Sequence, residues 1–435
     1  MPTDQENITA LQQRFPKEGL FAEKEWNLAP EPFFIDAACA GYLERLGHWL
    51  FKFLRAANLL YHQSRRGKQP AWIAEYLDAG KPEALKGLWP AARGDLPKVI
   101  RPDIILTPEG LVLSEIDAVP GGIGLTGWLN QAYADLGFDV IGGKNGMVDG
   151  FRSILPKGVI AVSKEAATYR PEMQWLAGEL NRQYGPHWRV EQAETLDFSI
   201  PQSVYRFFEL FDLPNLPSQA SLLSAARAGT LQITAPLKPY LEEKLWFGLF
   251  WEKSLERFWE RELSRRHFQR LRAVIPKTWV IDPAPVPHHA VIPWLGIQNW
   301  KELSAFSQKE RDYVLKVSGF SERAWGSRGV YVGTDLPQAE WARLIDEAVQ
   351  SFPRQPFILQ RFHRGKLFEQ GLYQPQTDRF STFRGRVRLC PYYFVASECD
   401  IRLGGILATI VPADKKLVHG MRDAVIVPVA VRAER

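Results

Sequence analysis

The stretch Arg101-Pro-Asp-Ile-Ile-Leu-Thr-Pro-Glu-Gly-Leu-Val-Leu-Ser-Glu-Ile-Asp-Ala-Val-Pro-Gly-Gly122 decides how this chain reads. Ile104-Ile105-Leu106 and Leu111-Val112-Leu113 are short apolar runs. Thr107-Pro108-Glu109-Gly110 between them is a tight turn, because proline presets one φ and glycine supplies the other. The segment is therefore a β-hairpin. Asp103 enters on its first strand, while Glu115 and Asp117 leave on the second, two residues apart and so on one face. Folding brings the ends together, so three carboxylates converge at the open end. There they repel and raise one another's pKa unless a cation lies between them. A hard ion such as Mg²⁺, held by a few carboxylates and by phosphate oxygens, answers that repulsion. The plainer alternative is a set of solvated strand-end charges, with Arg101 pairing one of them. The set as a whole, followed at once by Pro120-Gly121-Gly122, favours the metal.

An Arg-x-Asp followed, twelve positions after the aspartate, by Glu-x-Asn resembles the metal-binding hairpin of the glutathionylspermidine synthase family. That family has a circularly permuted ATP-grasp fold. The spacing is kept here, from Asp103 to Glu115 and on to Asp117. Asp117 stands where the family has asparagine; either side chain offers an oxygen, and the aspartate adds a negative charge. The resemblance implies that Asp103, Glu115 and Asp117 are metal ligands and that Arg101 is catalytic.

Composition sets the outer limits. At 435 residues, 46% of them hydrophobic, the chain can bury a large core, and more than one. Met1 to Gln13 is polar and lacks the apolar stretch of a signal peptide. No apolar run approaches the roughly 18 residues of a membrane span. Three cysteines (Cys39, Cys390, Cys399) without a CxxC pair support neither a disulfide framework nor a zinc site. The cytoplasm is the expected location, with no membrane partner. A net charge of +5 is small for this length and points weakly to anionic ligands. The fifteen tryptophans are scattered, which favours core packing over stacking on nucleic-acid bases.

In chain order, residues 1–30 carry Pro, Gly and Asn breaks and read as a lightly structured lead-in. Apolar residues from Ile35 to Leu54 recur mostly at three and four, predicting a helix from Phe33 to about Gln63, with another over Trp72 to Tyr76. Residues 1–98 thus form a mostly helical N-terminal region. Beyond the hairpin, Leu125 to Leu136 predicts a helix ended by Gly137. Gly142-Gly143-Lys144-Asn145-Gly146 lacks GxxxxGK[ST] and reads as a mobile surface loop rather than a phosphate loop. A buried strand Gly158 to Ser163, a helix near Pro171 to Tyr184 and a strand around Trp188 to Glu191 predict an α/β unit with a parallel sheet. Residues 99–200 are accordingly hairpin plus α/β unit, and the resemblance implies that the unit helps to bind the acceptor. Residues 202–235 read as helical packing.

Region 201–435 holds the candidate nucleotide site. One amphipathic helix is expected from Pro236 to about Ala273, stopped by Pro276, with Trp251, Leu255, Phe258, Trp259 and Leu263 as its apolar stripe. The resemblance implies a phosphate-reaching lysine at its start, and Lys244 is the match; alone it is an ordinary surface lysine. Val314 to Val317 is a strand carrying Lys316. A Gly/Ser loop with Gly326, Ser327, Arg328 and Gly329 follows it, and then a return strand, Val330 to Val332. A lysine charge and backbone N–H donors in such a loop can clamp a triphosphate, although many hairpins have Gly-Ser loops. Phe357 to Phe362 reads as a buried strand. By resemblance, Gln360 and Phe362 mark the hinge that holds adenine; by itself this is a core strand with an edge glutamine. Arg386 and Arg388 share one strand face and serve equally well as phosphate clamps or as salt-bridged strand residues. Thr409 stands where the family tends to carry an arginine, and the polar cluster His419, Arg422 and Asp423 has no assigned role.

The resemblance spans about residues 100 to 430. It implies a mixed α+β and α/β fold, a circularly permuted, glutathionylspermidine synthase-like ATP-grasp with an inserted α/β substrate-binding unit. It also implies an ATP-dependent carboxylate–amine ligase that uses Mg²⁺, passes through an acylphosphate, and has Arg101, Arg386 and Arg388 as catalytic residues. Its partners would be small-molecule or peptide carboxylates and amines. No Ser/His/Asp or Cys/His spacing supports covalent catalysis. Two other classes stand beside this one. A nucleotide-binding protein of the same fold would lack turnover, and a nucleic-acid-binding protein would bind through Arg/Trp surfaces with steep salt dependence.

Overall fold

In the computed structural model the strands Val99–Thr107 and Gly110–Asp117 pair antiparallel, with Arg101 opposite Asp117 and Asp103 opposite Glu115. A register shift after Asp103 separates this charged end from the apolar ladder of Ile104, Ile105 and Leu106. The structure describes residues 3–15, 26–88, 94–200, 202–324, 326, 328–374, 377–418 and 423–432. The chain divides into two compact units, one of Met1–Phe51, Gly94–Pro236 and Arg364–Arg435, the other of Lys52–Arg93 and Leu237–His363. Both are discontinuous in sequence, whereas the reading along the chain drew three consecutive regions.

In the first unit the hairpin is one edge of a seven-stranded sheet. Its order is Phe33–Ile35, Val425–Val431, Asp400–Pro412, Arg379–Ser397, Val99–Thr107 and Gly110–Asp117, with Leu367–Gln374 also pairing Arg379–Ser397. Val387, Leu389, Tyr392, Tyr393 and Phe394 are all buried, so residues of both faces of this long central strand are covered. The helix Gly146–Ile154 packs on the two long strands. Just before it, the glycine-rich segment expected to be a mobile loop lies with its backbone against Gly404. A Cβ at Gly142 would stand 2.0 Å from the Gly404 carbonyl oxygen. Close approach of two backbones accounts for the glycine there.

The α/β unit forms as expected and is larger than the sequence reading made it. Trp188–Gln192, Gly158–Val162, Gln202–Phe207 and Leu231–Thr234 pair in that order, all parallel. Residues 202–235, expected as helical packing, supply two of these strands. Val204 to Phe207 is buried throughout, so it shows no two-residue alternation by which to recognise a strand. The lead-in also gains order, since Asp4–Arg14 is a helix opened by a capping box between Thr3 and Glu6. The expected helices are present as Ala37–Arg65, Ala71–Asp78, Ile123–Asp135 and Arg170–Tyr184. Phe33–Ile35, read as the start of the first of them, is a strand parallel to Val425–Val431.

The second unit is built on an antiparallel sheet in the order Val330–Val332, Tyr313–Val317, Phe357–Arg361, Thr278–Val280. Trp279, Leu315, Trp341, Ile345, Phe357 and Leu359 form its core, with Trp341 and Ile345 coming from the helix Gln338–Ser351. The single helix expected over 236–273 is instead Leu245–Trp251, Glu256–Leu263 and Arg265–Val274, joined by short turns. Glu252 is extended (φ −65°, ψ 119°), and its carboxylate accepts from the Ser254 N–H. Ser264 has φ 65° and ψ 148°. Among the described residues no helix is long and apolar enough to cross a membrane.

Candidate functional site

The charged end of the hairpin is an ion-pair network. Asp103 is 2% exposed; its Oδ1 meets Arg101 Nε at 3.0 Å, and its Oδ2 meets Arg388 Nη1 at 2.9 Å. Arg101 also pairs Asp117, Nη2 to Oδ2 at 3.1 Å, and donates to the Gly121 carbonyl at 3.3 Å. Arg388 comes from the neighbouring strand, opposite Ile105. Cys390, two residues on and so on the same face, donates its S–H to Asp103 Oδ1 at 3.4 Å. Burial raises the Asp103 pKa, but Arg101 and Arg388 outweigh it and hold the carboxyl at about 2. Asp117 is shifted the other way. Burial raises its pKa against the opposing pull of Arg101 and the Val119 N–H. Burial likewise pushes the Cys390 thiol up to about 12, so it stays neutral.

The structure thus gathers Arg101, Asp103, Glu115, Asp117 and Arg388, and Arg101 pairs two of the carboxylates. Among the described residues no three His, Cys, Asp or Glu side chains are grouped to hold a metal ion. Both Asp103 oxygens are engaged by guanidiniums. Asp117 is engaged as well, its Oδ2 by Arg101 and its Oδ1 by the Val119 N–H. A divalent ion here would therefore draw on Glu115 and on the remaining lone pairs of Asp117, both half-buried on one strand face. That suits Mg²⁺, which takes one or two carboxylates and completes its shell with water and phosphate oxygens.

Arg386 does not join this group. Its Nε donates to the Gly365 carbonyl at 3.1 Å, and its Nη1 donates to the carbonyls of Ala413 and Lys415. It ties two loops to the strand. Thr409, buried, is the ladder partner of Arg388. Asp423 pairs with Lys415 at 3.0 Å. His419 and Arg422 lie outside the described residues.

In the second unit Lys316 is 6% exposed, with Val330 and Ile358 as its ladder partners. Its Nζ donates to Gln360 Oε1 at 2.8 Å, and Gln360 Nε2 donates to Thr278 Oγ1 at 3.1 Å. Gln360, read as a hinge residue, is thus a hydrogen-bond partner of Lys316. Lys244 caps the helix Leu245–Trp251, and its Nζ donates to the Ala324 carbonyl at 3.1 Å. Lys244 thus contacts the loop between Val317 and Val330 directly, while Lys316 lies on the strand that feeds the loop and turns its ammonium to Gln360.

That loop is held at several points. A Cβ at Gly319 would stand 2.9 Å from both the Glu242 carbonyl oxygen and the Glu243 carboxylate. The Gly329 carbonyl accepts from Val317 N–H at 3.0 Å. Arg323, which the sequence reading passed over, pairs Glu347 at 2.6 Å and donates to Tyr331 at 2.8 Å and Gln355 at 3.3 Å. A lone loop arginine whose partner lies on a later helix leaves no spacing to find it by. Gly326 and Arg328 are exposed, and Ser327 lies outside the described residues. At the end of the Phe357–Arg361 strand, Phe362 N–H donates to the Asp312 carbonyl at 3.1 Å, and Arg361 N–H to that of Lys277 at 2.8 Å. Both amides are engaged within the protein.

A mixed α/β chain with a lysine-bearing antiparallel sheet and a charged hairpin on a larger sheet shares its fold with a glutathione synthetase-like protein. The similarity is to a glutathione synthetase-like effector from Globodera pallida in its apo form, with a TM-score of 0.52 and 10% identity over 94% of this chain and 90% of the other. A protein assigned as a gamma-glutamylcysteine synthetase from Methylobacillus flagellatus aligns with a TM-score of 0.40 and 12% identity over 84% of each chain. At 10% identity the likeness to the effector is one of fold alone. No family model matches the sequence, and no curated protein does.

Proposed function

We propose that this chain is an ATP-dependent carboxylate–amine ligase of the circularly permuted ATP-grasp type. The observation that carries this reading is the contact of the Lys244 ammonium with the Ala324 carbonyl of a Gly/Ser loop that leaves the strand carrying Lys316. An ammonium group beside a loop with open space over Gly326 suits phosphate oxygens. Lys316 Nζ donates to the Gln360 amide oxygen, and an ammonium binds a phosphate oxygen more strongly than a neutral amide. The hairpin precedes these lysines in the chain, the order of the permuted enzymes. There Arg101 and Arg388 supply fixed guanidinium donors, and Glu115 and Asp117 would hold Mg²⁺, which neutralises phosphate charge when bound.

The reaction needs little covalent work from the protein. A substrate carboxylate oxygen attacks the γ-phosphorus of ATP, ADP leaves, and an acylphosphate results. An amine then attacks the acyl carbon, phosphate leaves, and the nitrogen gives up a proton. The substrates are small molecules or peptides, and the cytoplasm is the proposed setting. Calorimetry with ATP in millimolar Mg²⁺ is the first test, and absence of binding would sink the reading. A screen of amino-acid, peptide and polyamine pairs for phosphate release, with mass spectrometry of products, then identifies the reaction.

A second reading, nucleotide binding without turnover, draws on Asp103 and Arg386 being committed to internal partners and on a buried threonine at 409. ATP binding with no phosphate release from any pair would select it.

A further inference from the structure

We propose that a buried ion pair between Lys81 and Glu243 positions Lys244 and the base of the 318–329 loop, which makes Lys81 a positioning residue for the nucleotide. This rests on reading that loop as the phosphate loop. Lys81 follows the helix Ala71–Asp78, far from the loop in sequence, and belongs to the same unit. Its ammonium stands 2.5 Å from Glu243 Oε1, and the two side chains are 0% and 1% exposed. The other carboxylate oxygen of Glu243 accepts from the Ser318 hydroxyl. Ser318 opens the loop. Its Oγ accepts from Leu245 N–H at 2.9 Å, and its carbonyl accepts from Lys244 N–H at 3.3 Å and Lys244 Nζ at 3.5 Å.

Each link follows from the one before it. Glu243 is the residue next to Lys244, so whatever fixes its side chain fixes the backbone from which Lys244 projects. A carboxylate this deeply buried is not tolerated without a cation, and Lys81 is the cation in contact with it. Buried ion pairs contribute little net stability when compared with an apolar replacement; their better-attested use is to impose one register. Here that register joins the loop's first residue to the start of the Leu245–Trp251 helix. The next loop residues are equally close, since a Cβ at Gly319 would meet the Glu243 carboxylate and the Phe320 ring lies 5.8 Å from the Lys81 ammonium. The arrangement gives residues 52–93 a task that their place before the hairpin does not suggest. They deliver the charge that holds the loop base.

The test compares Lys81→Met, Glu243→Gln and the double variant with the wild type. Either single change leaves a buried charge unmatched and is expected to lower the melting point. The double variant removes both charges and is expected to melt near the wild type. In its nucleotide-free form, the amides of Leu245 and of residues 318–324 should exchange hydrogen about tenfold faster or more, with the rest of the protein unchanged. Its affinity for Mg²⁺-ATP should fall about tenfold while that for adenosine, which lacks phosphates, stays as in the wild type. A merely structural pair would leave the ATP-to-adenosine ratio unmoved. Wild-type exchange at those amides, or faster exchange with an unchanged ratio, overturns the proposal. If the wild type itself binds no ATP, the ligase reading falls, and the exchange measurement still decides whether the pair holds the loop.

Discussion

Asp103 lies between two guanidiniums, and its titration carries a direct consequence for the fold. Its carboxyl is held at about 2, below the ordinary ~3.9 of an unfolded chain. A folded pKa lowered in this way stabilises the native state fully above about pH 4, and the stability is lost as pH falls from there through about 2. The shift corresponds to about 2–3 kcal/mol. Equilibrium unfolding between pH 6 and pH 2 should show that decline and show it flattened in Asp103→Asn. At neutral pH, Asp103→Asn should cost about 3–5 kcal/mol, because it removes the one buried carboxylate that both guanidiniums share. Asp117, with its pKa raised by burial, works in the opposite sense; its contribution weakens as pH rises from the unfolded value through the folded one. Glu115→Gln should leave the melting point close to wild type and, on the ligase reading, remove most phosphate release. If Glu115→Gln melts early yet turns over normally, the hairpin is not part of the active site. Arg386→Ala should cost about 1–3 kcal/mol through the orphaned carbonyls of Gly365, Ala413 and Lys415 while Mg²⁺-ATP affinity stays unchanged. Lost affinity in a stably folded Arg386→Ala protein would return that arginine to the site.

At the scale of elements, the break at Ser264 is the informative one. The apolar stripe read over 236–273 is real in Glu256–Leu263, where Phe258, Trp259 and Leu263 are buried. In Leu245–Trp251 every residue from Leu245 to Phe250 is buried, so no polar face marks the helix. Hydrophobic spacing reports which side chains are covered; it carries no record of a backbone that turns to φ 65° at a serine. That conformation strains any residue with a Cβ, by about 1–3 kcal/mol. Ser264→Gly should therefore stabilise the protein by about 0.5–1 kcal/mol after glycine's greater unfolded-state entropy is subtracted. A rise in melting temperature checks it, and a fall would mean that the serine side chain contributes more than its backbone costs.

For the whole molecule, nucleotide binding should act as a stability term. At a hundred times its dissociation constant, Mg²⁺-ATP should add about 2.7 kcal/mol and raise the melting temperature accordingly. The protection from hydrogen exchange should centre on residues 313–332. A melting temperature that ignores Mg²⁺-ATP at saturating concentration would contradict the nucleotide site. With a net charge of only +5, binding to nucleic acid with a steep salt slope is not expected, and a filter-binding series in rising salt tests that directly.

What the sequence determined by itself was local. The Pro-Glu-Gly turn flanked by apolar runs specified the hairpin, and the spacing of Asp103, Glu115 and Asp117 specified which carboxylates would meet. The Lys316 strand, its Gly/Ser loop and its return strand were equally legible, because each is a pattern within a few consecutive residues. What only the tertiary structure decided involves residues far apart in the chain. Arg388 reaches Asp103 because a strand almost three hundred positions later becomes the hairpin's neighbour, and this replaces a three-carboxylate cage with an ion-pair network. The strand at Gln202–Phe207 was invisible because a parallel strand covered on both faces has no alternation to read. That at Leu231–Thr234 was invisible because four residues are too few to show a period. Lys81 met Glu243 only when the chain folded. A buried charge chooses its partner by proximity in space, and a single lysine followed much later by a single glutamate has no pattern that announces the contact.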